Sequence, residues 1–159
     1  MPEQTFLPFD DRCWIEIRDG NPTAMSLFER HYSATNENRH TYKFTGPGEH
    51  IVLLSPDARA LFVWCKQRYI HSDQTGVNCA VFRNEGSSYG RSSELIEAAK
   101  VLAWQRWPGE RLYTYVNPRK VRHKRDPGRC FLRAGFRYCG VSKRRGYLIL
   151  ECECPHEPL

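Results

Sequence analysis

Through the middle of the chain, short apolar runs of strand length alternate with polar breaks, and at one place the spacing changes to that of a helix. His50 to Leu54 and Ala60 to Cys65 are two such runs. Between them lies Ser55-Pro56-Asp57-Ala58-Arg59, where proline presets φ and aspartate tolerates turn geometry, so the pair predicts a β-hairpin. Val77 to Phe82 predicts a buried strand, followed by a loop over 83–91. From Ser93 to Trp107, the residues Leu95, Ile96, Ala99, Leu102 and Ala103 fall on one stripe at helical spacing. Ser92 or Ser93 is placed to cap this helix, Glu94 suits the positive end of its dipole, and Pro108-Gly109 stops it. Arg111 to Val116 predicts a strand, Gly128 to Ala134 a short helix ending at Gly135, and Tyr138–Ser142 with Gly146–Cys152 a closing hairpin about Lys143-Arg144-Arg145. The first fifty residues are polar and rich in turn formers, with one helix predicted over Pro22 to Tyr32 and capped by Asn21. This order predicts one domain over 1–159 of α/β (α+β) class, with three layers and a central mixed sheet flanked by helices.

Composition narrows the class. A chain of 159 residues with 40% hydrophobic and 26% charged residues has the balance of an ordinary globular domain. No apolar run is long enough to span a bilayer, and Met1-Pro2-Glu3-Gln4 lacks the basic and apolar regions of a signal peptide, so the expected location is the cytoplasm. The seven cysteines are scattered and several sit in apolar runs, as Cys79 does in Val77-Asn78-Cys79-Ala80-Val81; they read as reduced core residues. Charge is unevenly placed. Between Arg119 and Arg145 stand eleven Lys or Arg and a single acid, Asp126, whereas the rest of the chain is net acidic. Such a block fits a polyanionic partner, either nucleic acid or the phosphates of a nucleotide, and is otherwise a solvated basic surface.

The order strand, loop, long helix, strand, short helix ending in Gly-Phe, strand resembles the GNAT superfamily of N-acyltransferases. The matching segments are Val77 to Phe82, loop 83–91, helix 93–107, Arg111 to Val116 and Phe131-Leu132-Arg133-Ala134-Gly135-Phe136. A narrower resemblance, to the phage Mom-type DNA-modification family, is carried by four blocks: Arg30-His31-Tyr32-Ser33, Gly76 to Phe82, Ser92-Ser93-Glu94-Leu95-Ile96, and Tyr113 to Val121. The resemblance implies a splayed central sheet holding acetyl-CoA or another acyl-CoA, with DNA as the acceptor and an adenine-type exocyclic amine as the group modified. It implies that the backbone of Val81 and Phe82 holds the thioester, and that Arg83, Gly90, Arg91, Ser92 and Ser93 serve the cofactor phosphates at a helix N-terminus. Two positions depart from the pattern. The phosphate loop reads Arg-x-x-Gly-x-Ser over Arg83 to Ser88, and the tyrosine that often acts as general acid on the short helix is replaced by Phe131.

Candidate side chains follow from the chemistry. Acyl transfer to an amine needs a base, a polarised carbonyl and alignment of the two. His31, Tyr32 and Ser33 are candidates for catalysis, as base, stacking or relay group and polar partner; otherwise Tyr32 packs, His31 is solvated and Ser33 caps the helix. The GNAT resemblance adds Asn117 as a fourth candidate, since an Asn at that strand end often contacts cofactor or acceptor in the family through its two-sided hydrogen bonding. Arg119, Lys120, Arg122, Lys124, Arg125, Arg129, Lys143, Arg144 and Arg145 are the candidate phosphate contacts. Tyr69, Tyr89, Tyr113 and Tyr115 offer stacking surfaces, the last two equally able to line the core or the cleft. Cys152-Glu153-Cys154-Pro155-His156 falls short of the four ligands of a structural zinc site, and no metal is expected there, although His31, His40 and His123 are available to a metal elsewhere. Two alternatives remain: the same fold acting on a small amine or protein lysine, and a non-catalytic nucleic-acid-binding protein on a GNAT scaffold.

Overall fold

The computed structural model describes residues 13–30, 48–67, 74–120 and 127–155. Its elements in chain order are β1 (Ile15–Ile17), α1 (Pro22–Glu29), β2 (Gly48–Leu54), β3 (Ala60–Gln67), β4 (Val77–Asn84), α2 (Ser92–Arg106), β5 (Leu112–Val116), α3 (Arg129–Arg133), β6 (Arg137–Val141) and β7 (Leu148–Cys152). The strands form one seven-stranded sheet in the order β1-β2-β3-β4-β5-β7-β6. β4 and β5 run parallel while every other pair is antiparallel, which makes the sheet mixed. Helix α2 crosses from β4 to its parallel neighbour β5, as a parallel connection requires. No helix among the described residues is long and apolar enough to cross a membrane.

Alternate residues of the sheet feed two cores. On one face Ile51, Leu53, Phe62, Trp64, Val77 and Leu112 pack with Leu95, Ile96 and Ala99 of α2 and Phe131 of α3. On the other, Val52, Leu61, Val63 and Val81 pack with Ala24, Leu27 and Phe28 of α1. Two buried tryptophans seat α2 against the sheet through their indole N–H groups: Trp14 donates to the Leu95 carbonyl at 2.9 Å and Trp64 to that of Ala99 at 2.8 Å.

Several predicted boundaries move for identifiable reasons. Asn21 caps α1 as the sequence suggests, its carboxamide oxygen accepting from Thr23 and Ala24. The helix closes at Glu29 with Arg30 as its cap, and the Arg30 side chain binds Glu85; the expected end at Tyr32 lies outside the described residues. The predicted cap of α2 is corrected. Arg91, not Ser92 or Ser93, is the N-cap residue and supplies no side-chain cap; instead Glu94 accepts from the Arg91 N–H, and the Ser92 hydroxyl accepts from Asn84. Strand β1 has no counterpart in the sequence reading: three residues, with Ile15 half exposed, carry too little pattern to stand out.

Candidate functional site

The feature that opens this sheet is a fork between β4 and β5. Their parallel ladder has three pairs, Val77↔Leu112, Asn78↔Tyr113 and Cys79↔Thr114, and then stops although both strands continue. The cause lies on the other edge of β4. There Val63 pairs with Val81 but Trp64 pairs with Cys79, leaving Ala80 as an extra residue, a β-bulge. A bulge bends the strand that carries it and reverses its alternation. Val77 and Cys79 accordingly face α2, while Val81 turns to α1 and Phe82 returns to the α2 side. At the fork, the Thr114 hydroxyl donates to the Cys79 carbonyl at 3.1 Å, so a buried side chain closes the last position of the ladder.

Beyond the fork lies a cleft of about 120 Å³ lined by Asn78, Ala80, Phe82, Tyr115, Asn117 and Tyr147, together with Cys79, Thr114, Val116 and Phe131. Its walls are mixed. Phe82 meets Phe131 edge-on at 5.9 Å, giving the apolar side. Asn117 is nearly buried and held by its own turn, its carboxamide oxygen accepting from the Arg119 N–H at 3.0 Å. Asn78 carries a buried carboxamide oxygen with no hydrogen-bond partner. Burial strongly raises the pKa of the Cys79 thiol, so it stays neutral at physiological pH. A larger groove of about 270 Å³ lies between β1, β2 and the end of α2, lined by Trp14, Ile51, Leu53, Leu102 and Gln105, with Glu16 and Arg106 facing each other at 3.8 Å. The fork holds the unpartnered Asn78 carboxamide oxygen together with Asn117, Tyr115 and Tyr147, and is the candidate site.

The rim of the cleft is basic. Val116 pairs with Leu148, and Leu148 with Val141, so the end of β5 and the β6–β7 turn share one end of the sheet. Arg119 and Lys120 follow β5 there, and Lys143, Arg144 and Arg145 form the turn; all five side chains are exposed. Arg129 opens α3, whose preceding Gly128 packs against Val116 and Leu150. Among the described residues, Arg119, Lys120, Arg129, Arg144 and Arg145 have no carboxylate partner, whereas Arg30, Arg83, Arg111 and Arg137 are all paired. Arg145 instead lies 6.0 Å over the ring of Tyr147, which lines the cleft.

The residues expected to hold the cofactor divide. Phe82 lines the cleft, but the Val81 side chain is buried under α1, leaving only its main chain to the fork. Arg83 binds Glu85 at 2.6 Å, and Glu85 is also gripped by both ends of the Arg30 guanidinium at 2.7 Å. Those bonds from Arg30 and then Arg83 hold the Glu85 carboxyl down to about 2. Gly90 packs on Glu94 and Leu95, Arg91 projects with its side chain 86% exposed, and Ser93 is half-buried. Three of the loop's N–H groups are taken: Gly86 and Ser87 donate to Asn84, and Ser88 to Asp57.

His31, Tyr32, Ser33, Arg122, Lys124 and Arg125 lie outside the described residues, as do Tyr69, His40, His123, Asp126 and His156. Tyr115 lines the cleft, Tyr113 is buried beside it with rings 5.8 Å apart, and Tyr89 is exposed. Sequence reasoning missed Tyr147 and Asn78. Tyr147 stood beside the basic turn and signalled only a strand, and nothing local marks the Asn78 carboxamide oxygen as lacking a partner. Among the described residues, no three His, Cys, Asp or Glu side chains gather as a metal site would need. No protein-family model matches the chain, and neither does any curated protein or solved structure.

Proposed function

We propose that this chain is an acyl-CoA-dependent transferase of GNAT type that modifies a base amine, adenine N6-like, in phage DNA and so shields that DNA from restriction. The observation that carries the reading is the fork itself: a parallel strand pair parted by a bulge, opening toward the end of the sheet where exposed arginines and lysines collect. In the reaction the amine nitrogen attacks the thioester carbonyl carbon. A C–N bond forms, the C–S bond breaks, and one amine proton ends on the departing sulfur, with no change in oxidation state.

This chain's groups have distinct tasks. From Ala80 onward the edge of β4 facing β5 has no ladder partner, so its main-chain N–H groups serve the carbonyl oxygen, where charge develops. Asn117, fixed by its turn, positions the acceptor. Phe131 has no proton to give, and the cleft hydroxyls, Tyr115 and Tyr147, are the groups placed to supply the sulfur. His31, Tyr32 and Ser33 keep the roles their chemistry suggests, with His31 as base. Cys79 is held neutral by burial, which favours direct transfer over an acyl-cysteine route. The basic rim grips phosphate backbone without reading sequence.

The test is mass spectrometry of nucleosides digested from DNA co-expressed with the protein. A heavier nucleoside is expected, absent with Tyr32→Phe; unmodified DNA from abundant, folded protein would overturn the proposal. A second reading, nucleic-acid binding without catalysis, is favoured by one observation: the N–H groups of Gly86, Ser87 and Ser88 in the loop are already bonded within the protein.

A further inference from the structure

We infer that Asn78 reads the acceptor base: its carboxamide pairs with the exocyclic amine and the adjoining ring nitrogen of a base drawn out of the DNA into the cleft at the fork. The inference rests on the base-amine transferase reading and names the side chain that selects the acceptor. An amine held within the fork cannot belong to a stacked duplex, so the base enters unstacked, on a single strand or flipped out of a double one. Such a base needs a ring to lie against, a partner for its polar edge, and phosphate contacts at the entrance.

The cleft supplies each from a different element. Val77 and Cys79 of β4, like Leu112 and Val116 of β5, face α2, so alternation turns Asn78, Tyr113 and Tyr115 to the opposite face of the sheet. Phe82 and Phe131 wall the cleft on the α2 side, and Asn78 and Tyr115 wall it on the other. Tyr147 lines the cleft with them, and Arg145 of the basic rim lies 6.0 Å over its ring, so one tyrosine joins the phosphate-binding surface to the interior. Other polar groups of the lining are committed. The Asn117 carboxamide oxygen accepts from the Arg119 N–H at 3.0 Å, and the Thr114 hydroxyl donates to the Cys79 carbonyl at 3.1 Å. Asn78 is different: its carboxamide oxygen is buried without a partner, and among the described residues nothing accepts from its nitrogen. Leaving a buried acceptor unpaired is costly, and a ligand N–H removes that cost. A carboxamide matches an amine beside a ring nitrogen, accepting from the first and donating to the second, as it does with adenine.

The experiment measures binding of the full chain to a short single-stranded oligothymidine carrying one central adenine, and to the same strand carrying purine, which lacks the amine. The adenine strand is expected to bind about tenfold more tightly. Equal affinity of the unaltered protein for the two strands overturns the inference. In Asn78→Leu the ratio is expected to fall to about one, while the salt dependence stays as in the parent because the phosphate contacts remain. An unchanged ratio in a variant that still melts cooperatively also overturns it. Nucleoside mass spectrometry separates this inference from the reading beneath it. DNA modified by Asn78→Leu to the parent's extent would overturn the role of Asn78 and leave the transferase standing. Adenine discrimination that depends on Asn78, without any modified nucleoside from the parent, would keep Asn78 as the reader of a bound base and overturn the transfer.

Discussion

Asp57 illustrates how far one side chain departs from its local reading. Its place in Ser55-Pro56-Asp57-Ala58 marks it as a turn residue, and the turn forms, with Ala58 at the left-handed φ of 57°. Its carboxylate nevertheless works thirty residues away on Ser87 and Ser88. Desolvation pushes its carboxyl up, but hydrogen bonds from Ser55, the Ser88 N–H, Ser87 and the Arg59 N–H outweigh that and bring it from an ordinary 3.8 down to about 2. A carboxyl depressed in the folded state stabilises it above the unfolded value and loses that contribution as pH falls through the folded one. Asp57→Asn is therefore expected to lower stability at neutral pH and to flatten the loss between about pH 4 and 2, read as denaturation midpoint against pH. An unchanged acid limb would show that Asp57 does not hold the loop.

Lys100 shows the same limit. Helical spacing leaves it off the stripe, yet it is buried, donating to the Ala134 carbonyl at 2.6 Å and lying 5.6 Å from the Trp104 ring. Gly135 makes that approach possible: with φ of +92° and a would-be Cβ 3.2 Å from Lys100 Nζ, it admits no side chain comfortably. Gly135→Ala is expected to destabilise by about 1–2 kcal/mol from the left-handed backbone alone, measured by urea denaturation.

Between residue and molecule, the bulge in β4 decides what the element does. Val77, Cys79 and Val81 alternate as if one face held all three, and only the pairing with β3, where Ala80 is skipped, shows that the face changes. Thr114 stabilises the fork by bonding the buried Cys79 carbonyl. Thr114→Val keeps the shape and removes that donor, so a loss of about 1–3 kcal/mol is expected in urea denaturation, with activity falling more than stability if the fork is the site. A variant as stable as the parent would mean the carbonyl finds another donor.

Across the whole molecule, charge and topology meet at one end of the sheet. Arg144→Ala with Arg145→Ala is expected to weaken DNA binding and to reduce the slope of log affinity against log salt by about 0.9 for each phosphate no longer neutralised. An unchanged slope would remove the β6–β7 turn from the interface. The double variant should leave thioester binding intact, because neither residue lines the cleft.

What the sequence determined by itself is what neighbours along the chain can enforce: the hairpin at Ser55 to Arg59, the stripe of α2 and its stop at Pro108-Gly109, the closing hairpin, and the density of positive charge after Arg119. Periodicity, caps and turn chemistry act within a few residues, so they are legible there. Only the tertiary structure decided the rest. Strand register exposed the bulge and the fork, and brought Arg119 to the same end of the sheet as the Lys143 to Arg145 turn. Long-range hydrogen bonding took Asp57 to the α2 loop and left the Asn78 carboxamide oxygen without a partner. Such contacts depend on which distant segments the packed core brings together, and one skipped residue in a strand is enough to redirect every side chain beyond it.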